Sequence, residues 1–211
     1  MSSDSCGEGS KCVLYHERQR MQLCLLHALN SLMQSHAFTK DDLDGIAESL
    51  DHSYWFNKHR SMFGTGNYDV NVLIAALETR HLRVVWFDAR RSTALIDRTK
   101  VLGYIFNVPS KGFIPFLNGR HWFTVREVGS LGFFNFDSKK SQPEPVEDFC
   151  RFADKLLAEG NQLMLVMKPE NVNELTNCDV CSDGTWNFWH MSRSTAASSP
   201  CSDSRRHNSL Q

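Results

Sequence analysis

The chain contains the run Leu23-Cys24-Leu25-Leu26-His27-Ala28-Leu29-Asn30, which places a cysteine where a largely apolar helix should begin. Much later in the chain come two further runs, His121-Trp122-Phe123-Thr124-Val125-Arg126 and Phe134-Asn135-Phe136-Asp137-Ser138. An early cysteine, a distant histidine and then an acidic residue follow one another in the order used by many cysteine hydrolases. The sequence therefore predicts a thiol nucleophile at Cys24.

Helical patterns dominate the first part of the chain. Leu23–Met33 is predicted to be helical, and Thr39 with Asp42 three residues later forms a capping-box pattern before a second helix. Asp69 is predicted to cap a third helix, which carries Val70, Leu73, Ile74 and Leu77 on one side. A fourth helix is predicted over Val146–Leu157.

The later part of the chain changes to strand patterns rich in Val, Phe, Ile and Leu. Strands are predicted over Leu82–Phe87, Val101–Val108, His121–Val128, Gly132–Phe136 and Gln162–Met167. Helices first and strands later favour an α+β fold, with an N-terminal helical part packed on a mostly antiparallel sheet.

Composition narrows the classes of function. The 211 residues, 41% of them hydrophobic, suffice for one domain and a tail, and the formal charge of −1 gives no reason to expect nucleic acid as a partner. The sequence has no apolar run long enough to span a membrane and no secretory signal pattern at its N-terminus. We therefore expect a monomer in the cytoplasm, with the nucleus as a further compartment.

Three segments are predicted along the chain: a flexible N-terminus at 1–12, a domain at 13–169, and a Ser-rich, mostly disordered tail at 170–211. The seven cysteines do not form the pattern of a disulfide framework, and reduced thiols are expected. Cys178 and Cys181 form a solitary CxxC pair in the tail, which is too little for a zinc site. Neither a metal nor a cofactor is predicted.

The chemistry predicted for Cys24 needs three further groups. A thiol of pKa about 8.5 attacks only as thiolate, which a helix N-terminus and an imidazolium both stabilise. His121 could act as general base and acid, and Asp137 could orient it. Gln19 is preferred to Gln22 as the side-chain donor of an oxyanion hole, because Gln22 is too close in sequence to fold back. The helix pattern alone is explained equally well if Cys24 is a small buried core residue and not a nucleophile.

A hairpin is predicted to bring His121 to Asp137. A three-residue loop at Val128-Gly129-Ser130 would pair Glu127 with Leu131 and therefore His121 with Asp137. A shift of one residue would place the two side chains on opposite faces of the sheet. His27, one turn after Cys24, is interpreted as a structural or supporting residue.

Four blocks of the chain resemble the Josephin family. They are Tyr15-His16-Glu17-Arg18-Gln19, the Leu23–Asn30 run, and the two runs that contain His121 and Asp137. The resemblance covers roughly residues 13–168 and is greatest to the short, stand-alone members. It implies a papain-like cysteine protease that removes ubiquitin, with Cys24 as nucleophile, His121 as base and acid, Asp137 as orienting residue and Gln19 in the oxyanion hole.

The resemblance also implies that ubiquitin binds an apolar surface on the third helix, formed by Val70, Asn71, Leu73, Ile74 and Leu77. Trp122 could form one wall of a cleft that admits only glycine, or could be an ordinary aromatic residue of the sheet. Ubiquitin and its conjugates are thus the predicted partners. Two alternatives stay open: a ubiquitin-binding module with little activity, and an acyltransferase that uses the same Cys-His-Asp order.

Overall fold

The computed structural model describes residues 13–50, 67–111 and 118–176. Five helices occur in these ranges: α1 (Cys24–Met33), α2 (Lys40–Leu50), α3 (Val70–Glu78), α4 (Phe149–Ala158) and α5 (Pro169–Thr176). The strands are β1 (Arg83–Trp86), β2 (Val101–Lys111), β3 (Asn118–Glu127), β4 (Phe133–Phe136), β5 (Glu144–Val146) and β6 (Gln162–Met167).

The six strands form one sheet in the order β1-β6-β2-β3-β4-β5, and every neighbouring pair is antiparallel. The period of two along each strand divides the core between the two faces of this sheet. Ile105 packs in one cluster with residues of α1, α2 and α3, whereas its neighbours Tyr104 and Phe106 pack in a second cluster with residues of α4. The predicted α+β fold, with N-terminal helices on an antiparallel sheet, is confirmed.

Helix α1 is held on the sheet by hydrogen bonds from side chains of β3 to the helix backbone as well as by apolar packing. The Thr124 hydroxyl of β3 donates to the Ala28 carbonyl (2.7 Å), and the Arg126 guanidinium donates to the Leu32 carbonyl (2.6 Å). Gly103 of β2 lies under the same helix, where an added Cβ would come within 2.5 Å of the Leu32 side chain. These contacts fix the position of Cys24, the first residue of α1, relative to β3.

The predicted capping residues lie at the helix ends. Thr39 and Asp42 exchange hydrogen bonds in a reciprocal capping box, with Asp42 Oδ2 accepting from the Thr39 N–H (2.7 Å) and Thr39 Oγ1 accepting from the Asp42 N–H (3.2 Å). The Asp69 carboxylate accepts the N–H groups of Asn71 and Val72 at the start of α3. Local side-chain chemistry therefore sets where α2 and α3 begin.

Several predicted boundaries differ from the structure: β2 extends beyond the predicted Val108 to Lys111, and β3 begins at Asn118 rather than at His121. The fourth helix begins at Phe149, not at Val146, because Asp148 caps it and Glu144–Val146 pairs with β4 as a strand. Helix α5 occupies the first residues of the predicted tail, where the Asn171 amide donates to the Lys100 carbonyl (2.8 Å). Residues from 177 onward and the segment 1–12 lie outside the described residues, so those predictions remain untested. None of the described helices has the length and apolar character needed to cross a bilayer.

Candidate active site

Cys24 is the first residue of α1 and is 5% exposed. The helix begins after Leu23 without any side-chain cap, and no acidic residue lies in its first turn. The N-terminal N–H groups and the positive end of the helix dipole therefore face the thiol without a competing carboxylate in that turn. Cys24 therefore lies at the end of the helix where negative charge that develops during a reaction is stabilised.

His121 lies on β3 and bonds the second predicted partner. Its Nε2 atom is 2.7 Å from Asp137 Oδ1, and the histidine is only 3% exposed. The same Asp137 oxygen accepts the Lys139 backbone N–H (2.9 Å), which fixes the carboxylate. Because the carboxylate can only accept, the hydrogen of a neutral His121 ring lies on Nε2, and Nδ1 is left as the basic nitrogen.

The interactions around His121 favour the protonated form of its imidazole ring. Burial opposes the charged form of His121, but the hydrogen bond to Asp137 and the interaction with the nearby Cys24 thiol outweigh burial and raise the pKa of the imidazole. Burial likewise opposes ionisation of Asp137, yet the hydrogen bonds from His121 and the Lys139 N–H lower its pKa. His121 is thus hydrogen-bonded to Asp137 and lies close enough to the Cys24 thiol for the two groups to interact electrostatically.

The predicted hairpin register, from which the contact of His121 with Asp137 was inferred, was wrong by two residues. The loop is Gly129–Leu131, and β3 pairs Glu127 with Phe133 and Thr124 with Phe136, so that His121 does not lie directly opposite Asp137. A shift of two residues keeps every side chain on its face, which is why the two groups still meet. They are diagonal neighbours at the end of the strand pair rather than a cross-strand pair.

Gln19 lies on the segment 15–22, here called the arm, which leads into Cys24. Its backbone N–H donates to the Ser138 carbonyl (2.7 Å), next to Asp137. Its side-chain Nε2 donates to the Met21 carbonyl (3.1 Å), and Oε1 lies 3.4 Å from the Ser138 hydroxyl. The arm thus connects the nucleophile end of α1 with the carboxylate end of β4, and the oxyanion role of Gln19 remains a prediction.

His27 is the histidine nearest to Cys24 in sequence, but it cannot serve as its base. Its Nδ1 atom bonds Glu17 Oε2 (2.6 Å), and its Nε2 atom accepts the Arg20 backbone N–H (3.3 Å). With both ring nitrogens engaged by the arm, His27 has the supporting role predicted for it. The sequence reasoning missed Glu17 because a lone glutamate in a polar segment carries no periodic or spacing signal.

The predicted binding surface on α3 needs correction. Leu73 and Leu77 are completely buried and pack in the core beneath α3, so they cannot contact a partner. Asn71 is exposed, and Val70 and Ile74 are half-buried. Only these three of the five predicted residues lie on an accessible surface.

Trp122 is 6% exposed, and its indole N–H donates to the Tyr68 carbonyl (3.1 Å) immediately before α3. These contacts favour the interpretation of Trp122 as a buried sheet aromatic that ties β3 to α3. Within the described part of the chain, no three His, Cys, Asp or Glu side chains are grouped to hold a metal ion. The Cys178 and Cys181 pair lies outside that part.

Comparison with known proteins places these residues in one family. The sequence profile of the Josephin family matches residues 19–167. Human Josephin-2 is 39% identical over 82% of this chain and 96% of its own length. A Josephin-like protein of Drosophila melanogaster is 38% identical over 82% of this chain and 80% of its own length, and chicken Ataxin-3 is 27% identical over 72% and 45%. The matched region contains Gln19, Cys24, His121 and Asp137, and the chain belongs to the Josephin family.

Proposed function

We propose that the protein is a thiol-dependent deubiquitinase, which hydrolyses the isopeptide or peptide bond after the C-terminal glycine of ubiquitin. The observation that carries this proposal is the hydrogen bond from His121 to Asp137 beside Cys24, which lies at an uncapped helix N-terminus. Membership of the Josephin family supports ubiquitin as the substrate class. The side chains supply every proton and the covalent bond, so no cofactor takes part.

In the proposed acylation step, the Cys24 thiol gives its proton to His121 Nδ1, and the thiolate attacks the carbonyl carbon of the terminal glycine. The oxyanion that forms is bound by a Gln19 side-chain N–H and by the backbone N–H of Cys24. His121 then protonates the departing amine, the C–N bond breaks, and ubiquitin remains on Cys24 as a thioester.

In the proposed deacylation step, His121 takes a proton from a water molecule that attacks the thioester carbonyl. The same oxyanion donors act again, and the C–S bond breaks to release the C-terminal carboxyl group of ubiquitin, which loses the second proton of the water to the solvent. The proton returns to the Cys24 sulfur. Asp137 keeps the hydrogen on His121 Nε2 throughout, so that Nδ1 always faces the reaction.

Ubiquitin itself is proposed to bind on α3, through the accessible residues Val70, Asn71 and Ile74. A free thiol nucleophile suits a reducing compartment, which supports the cytoplasm, with the nucleus as a further location. The monomeric state is part of the same proposal, because Cys24, His121 and Asp137 all come from one polypeptide.

Two rival functions make different predictions. A ubiquitin-binding module would bind without turnover, and an acyltransferase would transfer the acyl group to an amine instead of water. The bond from His121 to Asp137 favours an enzyme over a binding module, because binding alone needs no oriented imidazole. The sequence shows no phosphate-cradling loop for an activated acyl donor, which favours hydrolysis.

The test is covalent labelling with ubiquitin that carries an electrophile at its C-terminus. The wild-type chain is expected to form a conjugate, and Cys24→Ala is expected to form none. Cys150→Ala is the matched control, since Cys150 is the other free cysteine among the described residues. Labelling that persists in Cys24→Ala would contradict the proposal, and its loss in Cys150→Ala would assign the reaction to that cysteine instead.

A further inference from the structure

We propose that Glu17 and His27 form a positioning pair that holds Gln19 beside Cys24. This inference rests on the proposed function, because holding Gln19 in place matters for catalysis only if Gln19 binds the oxyanion. Neither residue is proposed to touch the substrate. Both would act through the arm, the segment 15–22 that carries Gln19.

The Glu17 carboxylate is the centre of a hydrogen-bond network. It accepts from Tyr15 Oη, from Asn30 Nδ2 (3.3 and 3.4 Å to its two oxygens) and, at shorter range, from His27 Nδ1 (2.6 Å); His36 Nδ1 lies 3.3 Å away. Burial raises its pKa, but these hydrogen bonds outweigh burial and lower it, so that the group is ionised at neutral pH. An ionised carboxylate with several donors is a rigid attachment point.

The bonds of His27 identify which of its nitrogens holds hydrogen. The Arg20 N–H can only donate, so His27 Nε2 accepts, and the ring hydrogen lies on Nδ1 and is donated to Glu17. One neutral ring is thereby bonded to the arm at residue 17 and again at residue 20. Gln19 lies between these two attachment points.

This arrangement fixes the arm to the nucleophile. His27 is one turn after Cys24 on α1 and is 6% exposed, so it cannot move without the helix that carries the thiol. The bond from the Gln19 N–H to the Ser138 carbonyl fixes the other side of the arm. One hydrogen of the Gln19 amide is donated to the Met21 carbonyl, which leaves the second for the oxyanion.

A purely structural role would affect all chemistry at Cys24, whereas a positioning role would affect only steps that form an oxyanion. Hydrolysis of a fluorogenic ubiquitin C-terminal amide forms an oxyanion. Alkylation of Cys24 by iodoacetamide needs the thiolate and its imidazolium but forms none. The rates of both reactions should therefore be measured for full-length wild type, Glu17→Gln, Gln19→Ala and the double variant, with Cys24 alkylation read by peptide mass mapping.

We expect Glu17→Gln to lower kcat/KM by about 10- to 100-fold. The larger value is the effect expected if the oxyanion donor is lost completely. Its alkylation rate should stay within about twofold of wild type, and the double variant should be no slower than Gln19→Ala. Glu127→Gln, an exposed carboxylate at the far end of β3, is the control and should leave both rates unchanged. If Glu17→Gln yields no folded protein, His27→Asn allows the same comparison.

Three results would distinguish a failure of this inference from a failure of the proposed function. Full hydrolysis by Glu17→Gln would overturn the inference and leave the proposed function intact. A parallel loss of hydrolysis and alkylation would show a merely structural role and would also overturn it. Absence of hydrolysis by the wild-type chain would overturn the proposed function itself.

Discussion

The proposed role of His121 as base and acid depends on which of its two ring nitrogens holds the hydrogen. Asp137 accepts a hydrogen bond from Nε2–H, and Nδ1 is the nitrogen proposed to exchange a proton with Cys24. The raised pKa of His121 means that the imidazolium survives to a higher pH than in an unperturbed histidine. Asp137 should therefore set the alkaline limit of activity.

Asp137→Asn is expected to move the alkaline limb of the pH profile of kcat/KM to lower pH. The amide oxygen can still accept from Nε2 and keep the tautomer, but the negative charge that favours the imidazolium is lost, so the pKa of His121 falls. We expect kcat/KM at neutral pH to decrease by about tenfold, the difference between a charged and a neutral hydrogen-bond acceptor. Steady-state kinetics across the pH range would show this, and an alkaline limb that stayed in place would contradict it.

The contact between His121 and Asp137 could be predicted from the sequence, because residue type and the alternation of adjacent strands carry that signal, whereas the role of Cys24 as nucleophile stays a prediction. Glu17 could not be predicted as an attachment point, since its partners His27, Asn30 and His36 meet it only after α1 has folded. Leu73 and Leu77 were wrongly placed on a binding surface, because an apolar stripe does not say which of its residues the core covers. The network of Glu17 and the burial of Leu73 and Leu77 both depend on contacts between distant segments, which the sequence pattern does not show.

Helix α1 has to lie close to the sheet for Cys24 to reach His121. The helix pattern was predictable from residue spacing, and its bonds to Thr124 and Arg126 were not, since both residues come from a distant strand. Gly103 permits the close approach because it has no side chain under Leu32. The distance between helix and sheet is therefore set partly by one glycine.

Gly103→Ala is expected to destabilise the protein by about 1–3 kcal/mol, because the new methyl group would force the buried Leu32 side chain to move. Gly119→Ala on β3 is the matched control, since nothing lies within 4 Å of its added Cβ, and its effect should stay within about 0.5 kcal/mol. Urea unfolding of both variants measures the difference. Equal stability of the two variants would contradict this account of α1.

Ile74→Asp on α3 is expected to raise KM for a ubiquitin substrate by about tenfold with little change in kcat, as removal of an apolar anchor from a binding surface does. Leu131→Asp is the control: Leu131 is also an accessible apolar residue, 50% exposed, but it lies in the loop after β3, about 20 Å along the strand from His121. Steady-state kinetics of both variants give the comparison. A similar rise in KM for both would place the binding surface elsewhere.

The whole molecule brings together residues from three separate parts of the chain. The arm and α1 supply Gln19 and Cys24, β3 supplies His121, and the segment after β4 supplies Asp137. Apolar clusters on both faces of the sheet hold these parts in place, with α1–α3 on one face and α4 on the other. The fold class followed from the order of helices and strands, but the meeting of these segments at one end of the sheet depends on long-range packing.

The central claim, that this assembly hydrolyses ubiquitin conjugates, is tested most directly by incubating the full chain with a ubiquitin dimer and measuring free ubiquitin over time. The account predicts release of ubiquitin by the wild-type chain, none by Cys24→Ser or His121→Ala, and a partial rate for Asp137→Asn. A wild-type chain that binds the dimer and leaves it intact would contradict the claim, as would a Cys24→Ser variant that cleaves the dimer at the wild-type rate.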